Sequence, residues 1–491
     1  MLPIVSLLFS LAYTVKLLFA ATLFMLIALT IVLPLAYYYF KHVFSSERRK
    51  RGDRFSVGIF HPYANAGGGG EKVLWVALRA LIERYPQAIF YIYTGDVEYS
   101  PLEIRRKVKS LLNVDISSER VKLIYLTRRK LVEAKTYPIF TLFGQFLGSV
   151  LLGFEAISKI NPDIFIETTG FTFTLPLFKY LGGCKTGCYV HYPVITKEML
   201  RRVQSRRSTY NNRNLISKSA TLTYTKLVYY HFLAWLYCLA GYCSDSTLVN
   251  STFTLENLQI LWNTPMTLVY PPCEVEHLKK IPRDKKKPSK IRILSLAQFR
   301  PEKDHPLQLQ ALYELREIIQ DHIFENVTLV LCGSCRNQED AERVKDLQDL
   351  SKHLSLENNV EFKVNFSYEN LIEEFQKAYI GIHTMLDEHF GISIVEQMAA
   401  GLIMVAHRSG GPLLDIIETS EGSRLGFLAN TSEEFAHTLK WIVEAQEEEV
   451  DEIRQRATAS CDRFSVKKFE EDFLRAIEPL FKRSKRSFVV Q

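Results

Sequence analysis

At 491 residues the chain exceeds an ordinary single domain, so two large domains or three small ones are expected. Its 47% hydrophobic and 23% charged residues exclude a disordered or fibrous protein. A net charge of +7 suits contact with phosphates or an anionic membrane face; nucleic acid is disfavoured, because zinc-finger spacing, RNA-binding aromatic motifs and long basic helices are all missing.

Residues 1–41 read as an N-terminal membrane anchor. From Leu17 to Phe40 there is no charge, a length that crosses a bilayer. The run ends in YYYFKHVFSSERRKR, an aromatic girdle and a basic cluster, rather than in the small residues of a cleavage site. Lys41, Arg48, Arg49, Lys50 and Arg51 outweigh Lys16 on the other flank, which predicts a cytosolic position for everything after residue 41. Pro34 is compatible with a kinked span. The sequons at Asn250, Asn326, Asn365 and Asn430 would be acceptors only in a lumenal domain.

From residue 55 to 278, short β-rich runs alternate with helical periods. Strands are predicted at 56–60, 89–93, 121–126, 164–168, 187–191 and 247–250. HPYANAGGGGEKVLW follows the first strand and opens a helix. Its glycines, Gly67 to Gly70, allow close backbone approach to a ligand, and a helix N-terminus favours anions. It is neither a dinucleotide fingerprint nor a P-loop, and a flexible loop is the plain alternative. GCYVHYPVIT (187–196) places His191 at the carboxyl edge of a strand, where a doubly wound domain works, although a lone histidine is more often structural. The aromatic stretches 137–157 and 227–243 could be spans, buried helices or interfacial helices; sheet-like sequence resumes at 162, which favours the latter two.

Residues 279–290, KKIPRDKKKPSK, read as an exposed linker. From 291 to 480 the alternation returns, with strands predicted at 291–297, 327–332, 360–364, 379–383 and 403–407. LAQFRPEKDHP sets Arg300 and Lys303 just past the first of these, two cations that match a diphosphate; a solvated charged turn is the alternative. The eight cysteines form no regular framework, so a reducing compartment is expected, and Cys332 and Cys335 read as buried thiols at a strand end. In EHFGISIVEQMAAG (388–401) a helix starting near Gly391 would aim free N–H groups and its dipole at a phosphate. Glu388 lies just before that helix end and Glu396 a turn inside, so one carboxylate can grip a ribose and the other a hexose. SGGP (409–412) adds a second glycine turn to the same wall. Residues 481–491 form a basic tail. The fold class expected is α/β: two doubly wound Rossmann-like domains facing a cleft, behind a transmembrane helix.

These motifs together, the glycine loop, AQFRPEKDHPLQLQAL and the E-x7-E of EHFGISIVEQMAAG, resemble the retaining glycosyltransferases of family 4, with the GT-B fold, over roughly residues 55–480. Behind one N-terminal anchor the resemblance narrows to GDP-mannose-dependent enzymes that lengthen dolichol-diphosphate-linked oligosaccharides at the endoplasmic reticulum. It implies GDP-mannose as donor and α-1,2 transfer of the fourth and fifth mannoses onto dolichol-diphosphate-linked Man3GlcNAc2 at the cytosolic face. It also implies that other mannosyltransferases of the pathway are partners, and that no cofactor is needed. D-x-D occurs nowhere in the chain, so no metal is expected. By resemblance, Glu396 holds the donor ribose and Glu388 contacts the transferred mannose near its reacting carbon. Lys303 neutralises the diphosphate, Gly391 and Ile392 offer it backbone N–H groups, and Gly69 and Gly70 close over it. His191 contacts the mannose or the attacking hydroxyl. Gln298 stands where the family carries arginine, and Arg300, offset by two, is the candidate replacement. Arg206 and Arg207, in a loop with Arg201, Arg202 and Arg213, are candidates for gripping the acceptor's diphosphate or anionic headgroups; a plain exposed loop is the alternative.

Overall fold

The computed structural model describes residues 2–50, 55–112, 114–116, 118–195, 220–282, 287–418 and 424–482. Continuous apolar runs become strands buried on both faces, as parallel sheets between helices require. In the first half these are β1 (Ser56–Phe60), β2 (Ile89–Thr94), β3 (Val121–Tyr125), β4 (Ile164–Glu167), β5 (Lys185–Val190), β6 (Ser246–Val249) and β7 (Met266–Leu268). They pair in the order β3-β2-β1-β4-β5-β6-β7, parallel throughout, with Val57 opposite Ile164 and Ser56 opposite Ile89. The second half gives β8 (Ile291–Leu296), β9 (Val327–Gly333), β10 (Val360–Val364), β11 (Ile380–His383), β12 (Ile403–His407) and β13 (Phe427–Ala429). Their order is β10-β9-β8-β11-β12-β13, again parallel. Strand order reverses between β1 and β4, and between β8 and β11, so the loops leaving these strands border a crevice.

Every predicted strand is present. The edge strands β7 and β13, each of three residues, have no counterpart in the sequence reading. The last helix, Val466–Lys482, belongs by chain order to the second half but packs on the first sheet. Its stripe of Phe469, Phe473, Ile477, Leu480 and Phe481 joins the core of Val57, Ile59, Leu74 and Leu78. There it covers the helix Gly69–Arg84, with Phe481 stacked on Tyr85 at 3.9 Å and Arg79 paired with Glu470 at 2.8 Å.

The N-terminal helix runs from Leu2 to Lys50. Its outer part is apolar and exposed. Its final turns are not a free tether: Phe40, Val43 and Phe44 pack into the first domain beside Phe154 and Phe178. Arg48 donates to the carbonyl of Gly182 at 2.6 Å and to Asn161 Oδ1 at 2.9 Å. Among the described residues two helices are long and apolar enough to cross a membrane, 19–50 and Thr141–Lys159. The second of these buries Phe146, Leu152, Ala156 and Ile157 while leaving Leu147 and Leu151 exposed. The helix Ala220–Gly241 is likewise two-faced, with Leu233 and Tyr237 buried and Tyr224, Val228, Trp235 and Leu239 exposed.

Candidate active site

A cleft of about 640 Å³ separates the carboxyl ends of the two sheets, within the range that accepts a nucleotide-sized ligand. From the first sheet it is lined by Gly67 to Gly70, Lys72, His191 and Asn250. From the second come Lys303, Arg336, Glu388, Gly391, Ile392 and Glu396.

The glycine loop ends at the N-terminus of the helix Gly69–Arg84. Gly67 has φ +76°, a left-handed conformation that glycine takes without strain. Glu71 turns back to accept from the Gly68 N–H at 2.5 Å, as in a capping box, and also meets His61 Nε2 at 3.2 Å. A Cβ on Gly69 would stand 2.8 Å from Ile392 Cδ1, so the two walls approach closely here and the isoleucine would have to give way to a side chain. Opposite lies the helix Ile392–Ala399, opened by Gly391 at φ +111°. Two helix N-termini therefore meet across the cleft, and both favour anions.

Glu388 sits in the loop between β11 and this second helix. Its Oε2 accepts from Lys303 at 2.5 Å and from His383 Nε2 at 2.9 Å. Burial would raise its pKa, but the lysine and the imidazole outweigh it and hold the carboxyl well below the ordinary carboxylate range. The loop is braced from behind by the SGGP turn. Ser409 Oγ accepts from the Asp387 N–H at 2.8 Å, and the Gly411 N–H donates to the Glu388 carbonyl at 2.8 Å. Gly410 lies at φ +57°, and a Cβ on it would fall onto the Glu388 carbonyl oxygen.

His191 leaves the end of β5, and its Nε2 lies 3.0 Å from the Thr168 carbonyl. A carbonyl only accepts, so Nε2 carries the hydrogen and Nδ1 remains the acceptor. Burial, with the neighbouring His61, lowers this imidazole to about 4, so it is neutral near pH 7. The Thr168 turn is held by Glu167, a buried carboxylate that accepts from the Thr169 N–H at 2.7 Å and the Gly170 N–H at 2.9 Å.

The structure thus brings Gly69, Gly70, His191, Lys303, Glu388, Gly391, Ile392 and Glu396 to one cleft. Arg300 is placed differently: it turns to Glu302 at 3.5 Å and is not among the lining residues, where Arg336 stands instead, near Gly68. Arg206 and Arg207 lie outside the described residues. Sequence reasoning passed over Lys72, His383 and Arg336. His383 ends β11 just as His191 follows β5, the same strand-end signal. Lys72 sits in the first turns of a helix, where the dipole disfavours a cation, a hint that acidic partners wait nearby. Among the described residues no three His, Cys, Asp or Glu side chains converge as metal ligands would. None of the eight cysteines forms a disulfide, and burial pushes the Cys332 thiol up to about 12.

Residues 54–262 match the family described as ALG11 mannosyltransferase N-terminus, and residues 278–459 match Glycosyl transferases group 1. The chain is 46% identical to a Mus musculus protein over 86% of this chain and 87% of that one. It is 48% identical to a Xenopus laevis protein over 87% and 88%, respectively. Both relatives are named GDP-Man:Man(3)GlcNAc(2)-PP-Dol alpha-1,2-mannosyltransferase, as is a Dictyostelium discoideum protein at 42% identity. Among solved structures, the sucrose-phosphate synthase of Thermosynechococcus elongatus superposes with a TM-score of 0.61 at 17% identity, covering 88% of this chain and all of that one. An Anabaena HepE complex with UDP and glucose superposes at 0.57 and 16% identity, covering 86% and 99%. These structural likenesses establish the fold, the GT-B arrangement of two facing doubly wound domains. With more than two-fifths of positions shared along nearly the whole length of each relative, the chain belongs to the family of GDP-Man:Man(3)GlcNAc(2)-PP-Dol alpha-1,2-mannosyltransferases.

Proposed function

We propose that the protein transfers mannose from GDP-mannose, with retention, in α-1,2 linkage onto dolichol-diphosphate-linked Man3GlcNAc2, adding the fourth and fifth mannoses. It does so at the cytosolic face of the endoplasmic reticulum, held by one N-terminal span. The observation that carries this reading is the meeting of two helix N-termini with Lys303, Glu388 and Glu396 in a single cleft.

Each group then has a physical task. The donor diphosphate lies between the Gly69–Gly70 amides and those of Gly391 and Ile392, and Lys303 takes its charge. Arg336 lines the same cleft and is a further cation available to the diphosphate. Glu396 accepts from the ribose hydroxyls and Glu388 from the mannose. Substitution proceeds on the front face. The departing diphosphate oxygen takes the proton of the acceptor hydroxyl as the sugar–phosphate bond breaks, and the fixed amides and lysine stabilise the charge that develops. Neutral His191, with Nδ1 as acceptor, orients a hydroxyl of the mannose or of the incoming sugar without competing for its proton. Arg206 and Arg207 are assigned to the acceptor's diphosphate. Mass spectrometry of a synthetic lipid-linked Man3GlcNAc2 incubated with GDP-mannose and purified protein tests the reading. Products heavier by one and two hexoses are expected; no product, or normal turnover by a Glu396→Ala, Lys303→Ala double variant, would overturn it.

A further inference from the structure

Lys72 is a cation at the seam with no task in the reaction as proposed. It is only 7% exposed, and its ammonium stands 3.0 Å from Glu396 Oε1 and 3.6 Å from Glu274 Oε1. The three residues come from three separate parts of the fold. Lys72 lies on the helix that follows the glycine loop, Glu396 on the opposed helix of the second domain, and Glu274 on the segment that leads from β7 toward the linker. That segment packs with the second domain, since Val275 and Leu278 share a core with Ile394 and Val395. Lys72 is therefore a first-domain side chain seated between two second-domain carboxylates.

Burial alone would lower this lysine's pKa, yet the carboxylates of Glu396 and Glu274 outweigh it and raise it above the ordinary range. It stays charged, and one positive charge is shared between two acids. A half-buried carboxylate that loses its cation partner is free to rotate toward water. Lys72 prevents that rotation. It holds Glu396 through Oε1 and leaves Oε2 as the oxygen with acceptor capacity to spare. Gly69 lies close to Ile392 within the same pair of helices, so the Lys72–Glu396 ion pair and the glycine loop's approach to the second domain share one contact region.

We propose that Lys72 is a positioning residue for the donor: it aims the Glu396 carboxylate at the ribose and ties that contact to closure of the glycine loop over the diphosphate. The inference rests on the reading of Glu396 as the ribose ligand. It predicts that the ribose hydroxyls are felt through a side chain they do not touch.

The test compares GDP-mannose with an analogue lacking both ribose hydroxyls, in the full-length protein and its variants. In the unaltered protein the analogue's kcat/KM should fall about 10- to 100-fold, the scale of hydrogen bonds to a charged group. In Lys72→Met the KM for GDP-mannose should rise about tenfold, and the analogue penalty should shrink to about threefold or less, because Glu396 is no longer aimed. Lys72→Arg, which reaches both glutamates, should restore KM and penalty to within about threefold. A Lys72→Met variant with an undiminished analogue penalty overturns the proposal. If Lys72→Met does not fold, Lys72→Arg decides: loss of the penalty with the charge retained overturns it, and retention upholds it. Glu396→Gln separates the two readings, since an analogue penalty that survives that change refutes Glu396 as the ribose ligand and leaves Lys72 with nothing to aim.

Discussion

Glu388 has two donors on one oxygen, and they are not equivalent. Lys303 lines the cleft, whereas His383 is 2% exposed behind the carboxylate. If the lysine turns to a diphosphate, as proposed, His383 remains to keep the acid ionised and aimed. His383→Phe should therefore lower kcat by about 10- to 100-fold with less than about a threefold change in KM for GDP-mannose, and His383→Gln should recover most of the loss. Steady-state kinetics on the folded variants checks this; equal losses in both variants would contradict it. Buried imidazoles also set the response to acid. His191, His305 and His389 are each lowered to about 4, chiefly by burial, from an ordinary 6.5. Between those values the unfolded chain binds protons that the folded chain does not, so stability is complete above 6.5 and drains away as pH falls toward 4. Melting temperature should fall on going from about pH 7.5 to about pH 5, and His305→Asn should flatten that slope. At this scale the sequence was readable for position: Lys303 and the two glutamates, picked out at strand and helix ends, all line the cleft. Arg336 escaped because CGSCRN drew attention to its thiols, and the turn of Arg300 toward Glu302 is not written in sequence spacing.

Among elements, the loop carrying Glu388 owes its shape to its neighbour. Asp387 sits at φ +56° and Gly410 at φ +57°, back to back. Gly410→Ala meets both a left-handed backbone and the Glu388 carbonyl, so a loss of about 2–4 kcal/mol in stability is expected. Thermal melting reads that loss, and donor KM should rise with it because the Glu388 loop is displaced. A neutral Gly410→Ala variant would mean the turn has room the geometry denies. The longer strands were legible because runs such as VTLVLC and IMVAH are largely apolar on both faces, as a covered parallel sheet requires. β7 and β13 were not legible, since three residues are too few to show a period. The final helix was half legible. Its apolar spacing of Phe469, Phe473, Ile477 and Leu480 declares a buried stripe, but spacing cannot say which of two sheets the stripe will find.

For the molecule as a whole, the apolar N-terminal helix and the body are joined rather than strung together. The sequence reading ended the anchor at residue 41; the helix runs to Lys50, and its last turns are core. Removing residues 1–36 should leave a stable body, whereas removing 1–50 deletes buried Phe44 and should cost about 3–5 kcal/mol from that ring alone. Melting of the two truncations in detergent distinguishes them, and equal stability would refute the docking of this segment. Orientation has its own check. Asn326, Asn365 and Asn430 are exposed sequons, so with the cleft on the cytosolic side, as proposed, endoglycosidase treatment should leave the protein's gel mobility unchanged.

The grip of Arg48 on the Gly182 carbonyl and Asn161 makes the N-terminal helix a gauge as well as a root. A rigid rod rises about 1.5 Å per residue, so with the apolar part in a bilayer, as proposed, the length of helix between bilayer and body sets how high the cleft mouth stands. Four residues spliced in between the span and the docked turns would lift the catalytic halves by about 6 Å. A soluble sugar nucleotide would not notice, but a glycan rooted in the lipid would find its target moved out of reach.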